Sequence, residues 1–431
     1  MDTFSIGLLL GSFFLLILIG VPIAYAMIIS SVITMYHLNL SLITVANTLV
    51  SGVSGFTFLA IPFFVLAGDL MANGGISDRL VRLANALVGW MRGGLAMVNI
   101  VASTMFGAIS GSATADTASI GPILIPMMKK QGYDGEFATA ITMTSSVQGL
   151  LIPPSHNFVI FAMAAGGVSI GGLFMAGIIP GLLLALTLMV YSYVVSVKRK
   201  YPHGEKFSLK TLLRETWSGI LGLFTVVIIV VGVIGGFFTA TEAAAIAVVY
   251  AFCITFFVYR DVPLKAFWGI LKGSLKTLSM VLLLIAAAGT FGFLITFLRI
   301  PQFLTQEILA LTESRVIILL LINVLLLVLG MIMGMASIIV IMTPILLPIV
   351  TQFGIHPIQF GVIIILNCGI GLLTPPVGGV LFVGSGVSGI KIEHLLKETL
   401  PIIAVMVLLL LVVTFVPSVS LFLPRALGLI A

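Results

Sequence analysis

The amino-acid sequence predicts an all-α polytopic membrane protein, and three observations carry that expectation: the composition, the length of the apolar runs and an internal repeat. Hydrophobic residues fill 60% of 431 positions and charged residues only 8%, and mean hydropathy is +1.29. Water-soluble domains do not have such a balance, so the chain needs lipid as its solvent. Apolar runs such as Ile178 to Val197 and Ile402 to Val416 recur along the chain and approach the roughly 20 residues with which a helix crosses a bilayer. These are helix lengths, unlike the ~10-residue alternation of barrel strands, and a helix satisfies its own backbone where no water is present.

The first helix is expected to remain in the mature chain. A signal peptide would begin with basic residues, whereas Asp2 is followed by an apolar run without a small-residue cleavage site. Cys253 and Cys368 lie far apart in apolar runs without metal-ligand spacing, and both read as packing residues. The net charge of +6 does not point to nucleic acid, because the basic residues sit in short loops beside spans, where membrane orientation explains them.

That orientation follows from the most basic loop, Lys198 to Lys210. Taken as cytoplasmic, it assigns a side to every other segment, and 17 of the 20 basic residues fall inside, leaving Arg299, Arg315 and Arg425 outside. Asp78 to Trp90, Ser208 to Trp217 and Pro263 to Leu278 carry basic residues on one face and apolar residues on the other. They read as helices lying in the cytoplasmic interface, the alternative being the basic ends of spans.

Shifted by 222 positions, the chain matches itself. Pro122 to Pro126 pairs with Pro344 to Pro348, Gly132 with Gly354, and Gly149 to Pro154 with Gly371 to Pro376, giving 11 identities in 33 positions from 122 to 154. The charge assignment runs the two copies in opposite directions across the membrane, so the repeats are inverted. Inverted repeats with interrupted helices at matching positions mark secondary transporters, whose sites lie near the midplane at the interruptions.

Each copy has an apolar stretch interrupted by small polar residues, Ser110 to Asp116 in the first and Gly334 to Ser337 in the second, read as the tip of a re-entrant hairpin; in the first copy two full spans would also fit the length. A helix broken at a double proline follows, since proline lacks the N–H and disfavours helix at the residue before it. An ordinary helix completes the unit.

A break at membrane depth frees carbonyls and amides that must be buried or line a polar cavity. Sodium takes oxygen ligands. Carbonyls from Gly149 to Pro153 with the hydroxyls of Ser112, Thr114, Ser145 and Ser155 form one candidate set, and Gly334, Ser337, Asn367, Gly371 and Thr374 the other. The half-helices beginning at Ser155, His156, Asn157 and at Val377, Gly378, Gly379 offer amides and positive dipole ends to a substrate carboxylate. Paired prolines that merely kink a helix are the alternative. Asp116 beside the first tip is a binding candidate because a carboxylate in hydrocarbon is expensive; capping a hairpin arm is its bland reading. His156 is a candidate for proton transfer or substrate contact. Thr239 to Glu242 fits a capping box at an outer helix start. No HExxH, Walker loop or GxGxxG is present, so neither ATP hydrolysis nor an organic cofactor is expected, and no metal beyond Na+ as the coupling ion.

Gly20 to Ala24, Ile61 to Gly68, Gly107 to Asp116, Gly149 to Ser155, Thr241 to Ala245 and the second proline block together resemble the large membrane subunit of the TRAP (tripartite ATP-independent periplasmic) transporters over nearly the whole chain. The resemblance implies an elevator-type, sodium-coupled symporter of a bacterial inner membrane. A small membrane subunit, here a separate chain, would enlarge the scaffold, and a periplasmic substrate-binding protein would deliver an organic acid. Sialic acid is favoured and a C4-dicarboxylate comes next.

The expected organisation is N-terminal scaffold helices over 1–57; a first repeat over 58–197, with its hairpin at about 94–130 and broken helix at about 136–166; a cytoplasmic loop, interfacial arm helices and a scaffold helix pair over 198–278; and a second inverted repeat over 279–431, with its hairpin at about 315–350 and broken helix at about 357–388. Two other readings compete: a self-sufficient Na+- or H+-coupled carboxylate or ion transporter, and an intramembrane enzyme using Asp116 or His156.

Overall fold

The computed structural model describes residues 3–55, 59–204, 206–303, 306 and 314–430; Asp2 lies outside them. Helices make up the described fold, and the one β-bridge pairs Arg92 with His203. Seven described helices are long and apolar enough to cross a membrane, and a bent pair is an eighth candidate.

Two units share one order of elements. In the first, a hairpin of Gly94–Ser110 and Ala113–Lys130 is followed by a helix in pieces, Gly135–Ser146, Gln148–Leu151 and His156–Ala164, and then by Ile170–Lys198. In the second, Arg315–Ile332 and Met335–Gln352 precede Pro357–Gly371 and Gly379–Ser388, and then Ile392–Phe415. Each break falls at a proline pair, Pro153-Pro154 and Pro375-Pro376.

The units exchange contacts. Gly379–Ser388 packs on the second arm of the first hairpin, while His156–Ala164 packs on the second arm of the second. Such reciprocity is what a two-fold relation between copies produces. Lys129 Nζ donates to the Ser388 carbonyl at 3.4 Å, so the second broken helix ends at the hairpin base beside which the first begins. The two therefore run in opposite directions across the membrane.

Pro417–Ala426 packs on Ile170–Lys198, and the other helices, from Thr3–Leu18 to Ile76–Val88 and from Leu209–Ile234 to Phe267–Phe297, form a second group that meets the two units chiefly where Ile76–Val88 lies on Gly94–Ser110. Ile76–Val88 turns 71° away from Ala60–Asn73 at Gly74 and Gly75, the latter with φ +72, a conformation that costs glycine little. Arg79 ion-pairs with Asp261 and lies over the Tyr259 ring at 3.8 Å, and Arg82 reaches Glu215 at 3.2 Å. The other two amphipathic segments are continuous with longer helices. Each runs without interruption into a span, within Leu209–Ile234 and, through Leu264–Ala266, Phe267–Phe297. Helices of 26 and 31 residues are about 39 and 46 Å long, longer than the ~30 Å hydrocarbon layer. Neither helix is interrupted between its basic end and its apolar stretch.

Helix ends carry the expected caps. Thr239 Oγ1 accepts the Glu242 N–H at 3.2 Å while a Glu242 carboxylate oxygen accepts the Thr239 N–H at 2.8 Å, which gives Glu242 a structural role. At the end of Ile170–Lys198, Arg199 holds Glu398 through two bonds of 2.8 and 2.9 Å and Asp134 through one of 2.8 Å. Tyr201 donates its hydroxyl to Asp134 at 2.7 Å, and burial, then the Asp134 carboxylate that accepts that proton, pushes the Tyr201 pKa up to about 12.

Candidate functional site

The first hairpin turns at Gly111 and Ser112. Gly111 has φ +61, and a Cβ there would lie 2.9 Å from His156 Nδ1, so glycine is needed both by the backbone and by the approach of the broken helix. Ser112 caps the second arm by accepting the Ala115 N–H at 3.3 Å, and its hydroxyl lies 3.0 Å from that of Thr114. Across the gap, Asn157 Nδ2 donates to the Gly111 carbonyl at 2.9 Å and to Ser155 Oγ at 3.3 Å. Tip and break are thereby fastened together.

Within each unit the first hairpin arm touches the broken helix through bare backbone. A Cβ on Gly107 would stand 2.2 Å from Gly149 Cα, and one on Gly371 would stand 2.5 Å from Gly330 Cα. Below this crossing each unit buries a polar cluster. In the first, Asn99 Nδ2 donates to Thr142 Oγ1 at 2.6 Å, and Ser145 Oγ reaches Ser103 Oγ at 3.0 Å and Asn99 Oδ1 at 3.3 Å. In the second, Asn367 Nδ2 donates to Asn323 Oδ1 at 2.7 Å and to the Asn323 carbonyl at 3.2 Å, leaving Asn367 Oδ1 buried without a donor. Ser145 and Asn367 occupy matching positions at the offset of 222.

The candidate residues thus occupy two levels. Ser112, Thr114, Ser155, His156 and Asn157 meet at the first tip, and Gly379 joins them from the second unit, where a Cβ would lie 3.8 Å from Thr114 Cγ2. Ser145 and Asn367 sit deeper, beneath the glycine crossings at Gly149 and Gly371. Pro153 is buried in the first break, and Thr374 in the second donates to the Gly371 carbonyl at 2.8 Å. Gly378, with φ +43, opens the second half-helix; Gly334 caps and Ser337 lies within the first turn of Met335–Gln352.

A cavity of about 330 Å³ lies between the tip and the other helix group, lined by Ser112, Thr114 and His156 on one side and by Gly68, Asp69 and Thr277 on the other. Asp116, expected at the substrate, does not line it. Its carboxylate is fully buried and lies against Ser103, because Ser112 is an extended cap outside the helix, whereas Asp116 is carried by the helix itself, two positions and about 200° round from Thr114. Half-helices of nine and ten residues, His156–Ala164 and Gly379–Ser388, start at the cavity region with no side chain capping either. At the second start the Val380 N–H already donates to the Leu372 carbonyl at 3.1 Å and the Val377 N–H to the Met331 carbonyl at 2.9 Å; the first-turn amides that remain at the two starts face an anion favourably.

Asn99, Ser103 and Asn323 escaped the sequence reading. Asn99 and Asn323 are lone amides within apolar runs, which is the signal that would have found them. No described group of histidine, cysteine and acidic residues has transition-metal geometry.

Residues 10–419 match the model of the family described as the tripartite ATP-independent periplasmic transporter, DctM component. The chain belongs to the DctM family of TRAP transporter large permeases. Among its relatives are the isethionate TRAP permease DctMQ of Oleidesulfovibrio alaskensis, 42% identical over 96% of this chain and 65% of the relative, and two Vibrio cholerae large permeases. The C4-dicarboxylate permease DctM is 39% identical over 96% of each chain, and the sialic acid permease SiaM is 37% identical over 95% of this chain and 96% of the relative. In fold the chain is similar to the solved YdaH transporter of Alcanivorax borkumensis, with a TM-score of 0.64 at 16% identity over 86% of this chain and 89% of that one. This DctM-family chain is a multi-pass inner-membrane transporter permease and not an enzyme.

Proposed function

We propose that this permease couples sodium to the uptake of an organic acid that a periplasmic binding protein delivers. The observation that carries the reading is the convergence of the first hairpin tip with the starts of two half-helices, one from each repeat, beside a cavity between the two helix groups. A carboxylate takes the half-helix amides near His156 and Gly379, with Ser112 and Thr114 as hydroxyl partners. Sodium takes the oxygen-rich levels: freed carbonyls at Gly149 to Pro153 and Gly371 to Thr374, the Ser145 hydroxyl and the Asn367 oxygen. Asp116 belongs with the cation, since a carboxylate facing an anionic substrate would repel it and its place against Ser103 is away from the cavity.

Residues 94–198 and 315–430 form the moving unit and the other helices form the scaffold, so an elevator displacement carries tip and breaks together. The DctMQ relative, of which this chain spans 65%, supports a small membrane subunit as the partner that extends the scaffold. Isethionate, C4-dicarboxylate and sialic acid are the named substrates of similar permeases; all are organic anions, and their identities are too alike to rank sialic acid above the others.

The test is uptake of labelled acids into proteoliposomes containing the permease, across a sodium series, with and without the small subunit and with and without the binding protein. Sodium-dependent uptake that requires the binding protein is the expected result. Uptake that is indifferent to sodium overturns the coupling, and uptake that needs neither partner supports a self-sufficient carrier instead.

A further inference from the structure

We propose that a groove at the cytoplasmic end of Ile170–Lys198 binds one phospholipid of the inner leaflet through its anionic phosphate. Leu186, Met189, Val190 and Tyr193 follow one another at helical spacing along that helix and line a cavity of about 530 Å³ together with Trp90, Arg92 and His203. Leu186 is 52% exposed, Val190 57%, Tyr193 47% and Trp90 48%, so the floor is open to the bilayer. From Leu186 to Tyr193 the helix rises about 10 Å, and Lys198 lies about 7 Å beyond, which spans one leaflet of a layer ~30 Å thick. The floor therefore lies at acyl-chain depth and the rim at headgroup depth.

The rim supplies the charge. Arg92 Nε is buried without an acceptor, and no described carboxylate pairs with this guanidinium. Its backbone is fixed: Arg92 bridges to His203, and the Gly93 N–H donates to the Pro202 carbonyl at 3.1 Å. Gly93 crosses so close to the helix that a Cβ would stand 2.1 Å from Ser196 Oγ. An unpaired guanidinium held over an apolar channel, with tryptophan and tyrosine at the same level, matches a phosphate with a chain hanging from it. Anionic lipid is abundant in the cytoplasmic leaflet, and basic pockets on that side bind such headgroups. The groove also lies at a joint: Trp90 to Gly93 connects Ile76–Val88 to the first hairpin, so a bound lipid contacts the connection together with Met97 and Ile170–Lys198.

The test uses tryptophan fluorescence of the full permease with Trp217→Phe and Trp268→Phe, which leaves Trp90 alone. Vesicles contain either brominated phosphatidylglycerol or brominated phosphatidylcholine at equal mole fraction. The anionic lipid is expected to quench Trp90 with about five-fold higher relative affinity, the size of one basic residue's attraction at an anionic surface. Arg92→Gln should bring the ratio near one while quenching by phosphatidylcholine persists, which shows the groove still formed; Arg92→Lys should keep the preference. Equal quenching of the parent by both lipids, or a preference unchanged in Arg92→Gln, overturns the proposal. So does absence of quenching by either lipid, which would mean that no acyl chain enters the groove.

Discussion

Asn367 stands to Asn323, at 2.7 Å between Nδ2 and Oδ1, as Ser145 stands to Asn99, at 3.3 Å between Oγ and Oδ1. In each repeat an asparagine on the first hairpin arm fixes the polar residue four positions before the glycine of the broken helix. The clusters are buried, and a polar atom left over in them costs free energy until something pairs with it, which is what the proposed sodium would do. Asn367 Oδ1 is one such atom.

Removing these oxygens should weaken sodium binding. Ser145→Ala, Asn367→Ala and Thr374→Ala each lose one neutral ligand or its support, on the order of 1 kcal/mol or more, and should raise half-saturating sodium several-fold. Reciprocity requires substrate affinity at low sodium to fall as well, with rescue at saturating sodium. Uptake curves that overlay the parent in all three variants would make the proline breaks plain kinks.

The glycine crossings should not tolerate a methyl group. At Gly107 and Gly149 the atoms that a Cβ would meet are backbone, at 2.2 and 2.4 Å, and backbone cannot rotate away. Gly149→Ala and Gly107→Ala should each cost at least 1–3 kcal/mol as overpacking. Gly269→Ala is the control, because its Cβ would meet nothing within 4 Å and an exposed helical glycine gains roughly 0.5–1 kcal/mol on becoming alanine. Melting temperatures of the purified variants decide it; equal stability at Gly149 and Gly269 would contradict the crossing.

His356 should make stability depend on pH at the start of the second broken helix, which it caps. Its Nδ1 accepts the Ile358 N–H at 3.2 Å, which requires that nitrogen to be unprotonated, and burial first, then Arg425, lowers its pKa below the usual 6.5. The unfolded chain binds the proton more readily, so stability is full above about pH 7.5, is lost as pH falls through 6.5, and levels off once the folded pKa is passed. His356→Asn keeps a cap and should flatten the curve between pH 7.5 and 5.5. A variant as pH-sensitive as the parent would place the effect elsewhere.

Orientation is open to labelling in intact spheroplasts. In a Cys253→Ala background, Lys198→Cys and Lys391→Cys should resist a membrane-impermeant thiol reagent, whereas Arg315→Cys should react, because the basic loops are retained in the cytoplasm. Equal labelling of all three would reverse or void the assignment.

What the sequence determined by itself was everything that depends on local covalent chemistry and on transfer to lipid. Helices follow from the apolar runs, the interruptions from prolines that lack an N–H, and the duplication from prolines and glycines that recur 222 positions apart. Tertiary structure alone decided which residues meet. Asp116 is four positions from Ser112, yet it faces the buried Ser103 and not the cavity, because helix rotation sets direction and only packing sets rotation. That Leu209–Ile234 and Phe267–Phe297 run on without a break was equally undecided, since an amphipathic pattern is the same for a helix lying in the interface and for the end of a long span. The pairing of Gly107 with Gly149, and of each half-helix with the other repeat's hairpin, joins residues far apart in the chain, and no periodicity in either segment encodes its partner.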